Sequence, residues 1–426
     1  MNMLTTLVLV LVFCFVLNVP VGFSLGIASA ATLLVSGSQM TVVPQQMVAG
    51  VNSFPLLAIP FFMMAGTVMD RGGVSKRVVA FADVLVGHIR GGLAAVSIIA
   101  CAFFAALSGS TPATAAAIGS LTIPEMEKRG YSSDYASAVV ASASCLGVII
   151  PPSIPMVLFG VTAGVSVGKL LLGGVIPGIF LALLLIVMNF IMAKKYNYPT
   201  GVRKGLREIV TAFKDAVWAL IMPIIIMGGI MTGIFTPTES ACVAVVYGLI
   251  IGFFVYRELK LADLIELSYK AALGSAMIML LIACAKPFGW LLTSQQVPTM
   301  ISRSVLSLTD NATMLYILVL VLYLFLGCLM ETSAIILLTV PILLPIMQSI
   351  GADMIHFGVL CVIDLAIGMM TPPVGVALFT TAGISNTSLS GIISKIGPFL
   401  LISIVGLFIL AFIPQITTFL PNLLMD

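Results

Sequence analysis

Two short runs of small polar residues interrupt long apolar stretches of this chain. They are Ser108-Gly109-Ser110-Thr111-Pro112 and Met330-Glu331-Thr332-Ser333. Hydroxyls and freed backbone carbonyls are hard oxygen donors, and such donors in a broken apolar segment suit a cation such as Na⁺. Two proline pairs, Pro151-Pro152 and Pro372-Pro373, lie inside further apolar stretches. Proline lacks an N–H and clashes with the preceding turn, so a helix must break at each pair. A half-helix beginning at such a break points partial positive charge at an anion.

The donors fall into two candidate Na⁺ sites. One takes Ser108, Gly109, Ser110, Thr111, Gly147 and Pro151; the other takes Glu331, Thr332, Ser333, Gly368, Met370, Thr371 and Pro372. Candidate substrate contacts are Ser110, Thr111, Ser153, Glu331, Thr332, Asp364 and Thr371. The plainer reading is that small residues let helices pack closely. Glu331 is an ionisable group in an apolar stretch, which is costly unless it has a partner. Asp364 lies seven residues before Thr371, close to two helical turns, so the two can share a face. Glu239 reads as an exposed cap, Lys286 as a lysine that snorkels to a boundary, and His88 and His356 as interfacial.

The elements that position these residues are membrane helices. Of 426 residues, 60% are apolar and 8% are charged, against about 25% charged in soluble domains. That excludes a soluble enzyme, a disordered chain and a nucleic-acid binder. Continuous rather than alternating apolar runs exclude a β-barrel. No Walker A or HExxH occurs, and the seven cysteines stand singly, so disulfides and metal clusters are not expected. The N-terminal stretch lacks a basic region and a small-residue cleavage site, so it reads as a retained helix rather than a signal peptide.

Apolar runs of about 20 residues predict crossings near 3–18, 20–36, 53–70, 135–164, 169–193, 216–234, 238–256, 271–293, 355–383 and 396–420. The stretches 92–127 and 312–347 each break near their middle and predict re-entrant hairpins. Segments 74–90 and 295–311 read as amphipathic interfacial arms. Lys194, Lys195, Arg203, Lys204, Arg207 and Lys214 place the linker 201–215 in the cytoplasm. Counting from there puts both termini outside, with the first hairpin opening to the cytoplasm and the second to the outside.

A shift of 221 residues superimposes Pro124 on Pro345, Gly147 on Gly368 and Pro151-Pro152 on Pro372-Pro373. Residues 1–200 and 216–426 thus each hold five crossings and a hairpin. An odd number of crossings inverts the second half, a hallmark of secondary transporters. The expected fold is therefore an all-α polytopic membrane protein of two inverted repeats.

The stretches Pro60 to Gly73, Ser108 to Gly119, Gly147 to Pro155, Met330 to Ala334 and Gly368 to Gly375 together carry a resemblance. Over essentially its whole length, the chain resembles the large membrane subunit of tripartite ATP-independent periplasmic (TRAP) transporters. The resemblance implies a Na⁺-coupled, elevator-type importer of organic acid anions in the bacterial inner membrane, not an enzyme. It implies Na⁺ as coupling ion and two partners besides the lipid bilayer, a small four-helix membrane subunit and a periplasmic substrate-binding protein. All ten crossings are used by the repeat, so the small subunit is expected as a separate chain. The family commonly carries C4-dicarboxylates, keto acids or sialic acids, and general likeness leans toward a sialic-acid-type substrate. Within transport, the alternative is a stand-alone anion permease; outside it, an intramembrane enzyme using Glu331 and Asp364 as acid and base.

Overall fold

Glycine, proline and capping hydroxyls divide the apolar sequence into helices, and no strand occurs among the described residues. The computed structural model describes residues 3–308 and 311–425. The first part runs α1 (Met3–Val16), α2 (Val21–Val35), α3 (Val42–Val51), α4 (Ala58–Arg71), α5 (Val74–Val86), α6 (Gly92–Ser108), α7 (Thr111–Lys128), α8 (Ser133–Ser144), α9 (Ile154–Ala163) and α10 (Val167–Lys195). The second runs α11 (Leu206–Met231), α12 (Pro237–Ile250), α13 (Asp263–Ser294), α14 (Val297–Leu308), α15 (Ala312–Gly327), α16 (Thr332–Ser349), α17 (Met354–Gly368), α18 (Val376–Ser385), α19 (Leu389–Phe412) and α20 (Gln415–Met425).

The helices sort by burial. Every residue of α8 from Tyr135 to Ser144 is buried, as is every residue of α17 from His356 to Gly368. α8 and α6 pack on one another and are rich in alanine and serine, which lets their backbones approach closely. By contrast, α1, α11 and α13 present exposed apolar side chains such as Leu9, Phe13, Ile224, Leu273 and Met277. Such a face is expected toward lipid. An outer group forms where α4 packs on α12 and α13, α5 on α11, and α2 and α3 on α13. An inner group forms around α6 to α9 and α15 to α18, with α10, α19 and α20 packed against it.

Both predicted hairpins appear as helix pairs, α6 with α7 and α15 with α16. Both predicted breaks appear too: α8 and α9 are separated by residues 145–153, and α17 and α18 by residues 369–375. The peptide bonds Pro151-Pro152 and Pro372-Pro373 are both cis. The second arm of each hairpin packs against the far half of the other part's broken helix, α7 against α18 and α16 against α9. The inner group is thus interlocked between the two parts of the chain.

Several expectations need correction. Seven described helices are long and apolar enough to cross a membrane singly, and one of them, α16, is the second arm of a predicted hairpin. α1 and α2 have 14 and 15 residues, about 21–23 Å at 1.5 Å per residue. The broken helices supply two further crossings only as pairs. The run 396–420 is two helices, α19 and α20, because Pro414 cannot continue the ladder and Ile413 leaves the helical region at φ −125°, ψ 75°. The short helix α3 had no expectation at all. The arm 74–90 becomes α5 and the arm 295–311 becomes α14, with residues 309 and 310 outside the described residues.

Candidate functional site

The first tip is shaped by Gly109, which ends α6 at φ +61°, a conformation costly for any residue with a Cβ. Ser110 then extends the chain and Thr111-Pro112 open α7, with Pro112 in the first turn, where its missing N–H costs nothing. The tip lies directly on the first break: Ile154 N–H donates to Gly109 O at 3.4 Å. A Cβ on Gly147 would sit 2.7 Å from Ser110 O and 2.5 Å from Thr114 Oγ1, so only glycine permits this approach.

The hydroxyls there differ in what they touch. Ser108 Oγ and Thr114 Oγ1 are 2.8 Å apart, and Thr114 Oγ1 donates to Ser110 O at 2.9 Å. Ser153 caps α9, accepting from Met156 N–H at 3.3 Å and donating to Val148 O. Thr111 is fully buried, and its Oγ1 has no hydrogen-bond partner. Buried hydroxyls are normally paired, so this atom is free to coordinate an ion.

At the second tip, Glu331 caps α16. Its carboxylate accepts from Ser333 N–H at 2.8 Å, Ala334 N–H at 3.4 Å and Ser333 Oγ–H at 3.0 Å. A carboxylate at a helix N-terminus is also favoured by the helix dipole. The residue is exposed rather than sealed in the apolar stretch. Gly375 N–H donates to Cys328 O at 3.2 Å, joining tip to break. A Cβ on Gly368 would stand 2.5 Å from Gly327 Cα. Thr332 is buried with Oγ1 3.0 Å from Met369 Sδ, and Thr371 Oγ1 donates to Ile367 O at 2.8 Å. Thr371 and Pro372 are half-buried, whereas Pro151 and Ser153 are buried. The second constellation is thus the more open one.

Ser108, Gly109, Ser110, Thr111, Gly147, Pro151 and Ser153 therefore lie together around the first tip and break. Glu331, Thr332, Ser333, Gly368, Met370, Thr371 and Pro372 lie around the second. Asp364 does not join them at an opening: it is 0% exposed and neither carboxylate oxygen has a hydrogen-bond partner. Sequence reasoning missed Thr114 and Met369. The spacing of Thr114, four residues after Ser110, was an available signal, because i and i+4 meet on one helix face.

Three further expectations can be judged. Glu239 caps α12, accepting from Thr236 N–H at 2.7 Å and Thr236 Oγ1–H at 2.8 Å. His356 is buried rather than interfacial; its ring nitrogens meet Thr417 Oγ1 at 2.7 Å and Ala411 O at 3.3 Å. Lys286 is exposed and lines a cavity with Gln46, Thr162 and Thr293, an arrangement compatible with the snorkelling expected of it.

The lysines and arginines assigned to one side of the membrane do converge. Arg71 pairs with Asp263 at 3.1 Å, Arg77 with Glu258 at 2.7 Å and Arg129 with Asp83 at 3.7 Å. Lys204 also pairs with Asp83, and Lys395 lies 4.5 Å from the centre of the Tyr196 ring. Charges from distant parts of the sequence gather at one end of the molecule.

Residues 7–416 match the family described as "Tripartite ATP-independent periplasmic transporter, DctM component". The chain is 41% identical over 400 residues to the C4-dicarboxylate TRAP transporter large permease protein DctM of Pseudomonas aeruginosa, covering 94% of each. It is 37% identical over 407 residues to the sialic acid TRAP transporter large permease protein SiaM of Vibrio cholerae, covering 95% of each. It is 43% identical over 406 residues to the isethionate TRAP transporter permease protein DctMQ of Oleidesulfovibrio alaskensis; the match takes 95% of this chain but 64% of that longer protein. In fold, it superposes on the YdaH transporter of Alcanivorax borkumensis with a TM-score of 0.62 at 13% identity, covering 88% of this chain and 87% of that one. This multi-pass helical chain is a member of the DctM family of TRAP transporter large permease subunits.

Proposed function

We propose that the chain is the transmembrane carrier of a Na⁺-coupled importer of organic acid anions in a bacterial inner membrane. Na⁺ is held at the two tip-and-break constellations, and the anion binds between them. The observation that carries this reading is Thr111 Oγ1, a buried hydroxyl without a partner at a tip whose backbone already touches a helix break. Coupling then follows from linkage: Na⁺ at each tip fixes the backbone that the anion needs, and anion binding tightens Na⁺ in return. The two halves act as inverted repeats. The inner group moves as the carrying body and the outer group stays as scaffold, an elevator mechanism. The partners are a small four-helix membrane subunit and a periplasmic substrate-binding protein.

The substrate class follows from the relatives, named for C4-dicarboxylate, sialic acid and isethionate transport. These share an anionic head group. The intramembrane-enzyme reading loses its acid–base pair, because Glu331 caps its own helix while Asp364 is sealed away from it. The test is uptake of labelled N-acetylneuraminate, succinate and isethionate into proteoliposomes holding this chain and its small partner, with and without binding protein and an inward Na⁺ gradient. Uptake of one of them needing both is expected. Uptake without binding protein favours a stand-alone permease, and uptake indifferent to Na⁺ overturns the coupling.

A further inference from the structure

We propose that the cavity between α3, α9, α13 and α16 is a second binding site, for the carboxylate or sulfonate head of an organic anion, with Lys286 as its cation. It deepens the transport reading above, and its existence can be tested apart from it. The cavity measures about 400 Å³, within the ordinary range for small-molecule sites. No acidic residue lines it, and Lys286 makes no ion pair among the described residues. Gln46, Thr162 and Thr293 add polar groups, and Trp290 adds a broad apolar ring. A lysine with hydroxyl and amide neighbours and no counter-charge is a donor set for one anion.

Position argues for the same occupant. Lys286 lies one residue before Pro287 inside α13 and eight residues before its end at Ser294, about 12 Å along the axis. Gly50 of α3 lies against its stem, since a Cβ there would come 2.8 Å from Lys286 Cβ. That contact fixes where the side chain leaves the helix. Thr162 is eight residues beyond the start of α9, and Leu337 and Pro341 are five and nine beyond the start of α16. Along these helices the cavity is therefore roughly 8–14 Å from the first break and the second tip, one step away from the sites themselves. Its α3 and α13 wall belongs to the outer group and its α9 and α16 wall to the inner one. An anion seated there touches both groups at once, so the site exists only in this arrangement of the two. It acts as a waiting position, from which the anion passes to the tips.

The chain has two tryptophans, and one of them lines the cavity. A Trp218→Phe background makes Trp290 the sole reporter in the purified full chain. Iodide, an anionic quencher, is compared with neutral acrylamide. The iodide-to-acrylamide quenching ratio should fall at least about twofold in Lys286→Gln and return in Lys286→Arg. An unchanged ratio in Lys286→Gln overturns the assignment of the cation. Succinate, isethionate and N-acetylneuraminate are then added singly against iodide. Relief of quenching by at least one of them is expected, and relief by none overturns the organic-anion site. In the uptake assay, Lys286→Gln should raise KM severalfold with little change in maximal rate. A quenching response without Na⁺-driven uptake keeps this site and removes the function proposed above; uptake with no quenching response does the reverse.

Discussion

Thr111 and Thr114 lie three residues apart on α7, both fully buried, yet only one has a partner. The difference predicts opposite outcomes. Replacing Thr111 by valine keeps shape and removes an oxygen that bonds nothing in the protein, so stability should hold or rise slightly. The Na⁺ concentration for half-maximal uptake should rise roughly tenfold, the loss of about 1.4 kcal/mol of ion binding. Thr114→Val removes two hydrogen bonds and should cost about 1–3 kcal/mol of stability. Thermal unfolding and Na⁺ titration of uptake, done on both variants, separate the two roles; equal behaviour would refute the division. Asp364→Asn tests the sealed carboxylate. With no donor facing it, an unpaired charge there would be costly, so the amide should fold at least as stably and retain Na⁺ activation. Loss of Na⁺ activation in a folded Asp364→Asn protein would return Asp364 to the ion path. At this scale the sequence shows which residue types stand at a break, but not which hydroxyls are already bonded. Ser153 and Thr111 look alike in sequence; one caps a helix and the other has no partner.

The elements were the most readable level. Proline pairs and small polar runs mark both hairpins and both breaks, because backbone chemistry alone forbids a continuous helix there. Less readable were α3 and the division of α19 from α20, since a short helix and a single Pro414 leave the apolar run unbroken. The contact of tip on break depends on glycine at two places. Gly147→Ala drives a Cβ onto Ser110 O, and Gly368→Ala drives one onto Gly327 Cα. Overpacking of that kind costs typically about 1–3 kcal/mol, and both variants should unfold at lower temperature and lose uptake. Gly383→Ala, where nothing lies within 4 Å, should change neither. Glu331→Ala removes the α16 cap and should cost about 1 kcal/mol. If Glu331 acts only as a cap, Glu331→Asp restores both stability and uptake; stability without uptake would place the carboxylate on the substrate.

For the whole molecule, the gathering of charge at one end is the feature that long-range sequence counting anticipated best. Arg71, Arg77, Arg129 and Lys204 come from separate segments of the chain and meet acids there. Pairs at such surfaces are worth little singly, about 0–1 kcal/mol, so their value is topological. Placing that end in the cytoplasm predicts that Lys204→Cys reacts with an impermeant thiol reagent only in inside-out vesicles, and Gln295→Cys only in right-side-out ones. Six of the seven native cysteines are buried, which keeps the background low. Labelling from the reverse sides would invert the orientation. The cavity at Lys286 was out of reach of sequence reasoning, because its walls come from four helices that are distant in the chain.

Two tip-and-break constellations, each proposed to hold a cation, make Na⁺ co-transport the central claim. The most direct test is simultaneous flux of labelled Na⁺ and labelled anion in proteoliposomes with the small subunit and binding protein. Two Na⁺ are predicted to enter with each anion, one per constellation, and Thr111→Val should abolish or weaken the entry of one. Anion accumulation without Na⁺ entry would contradict the account.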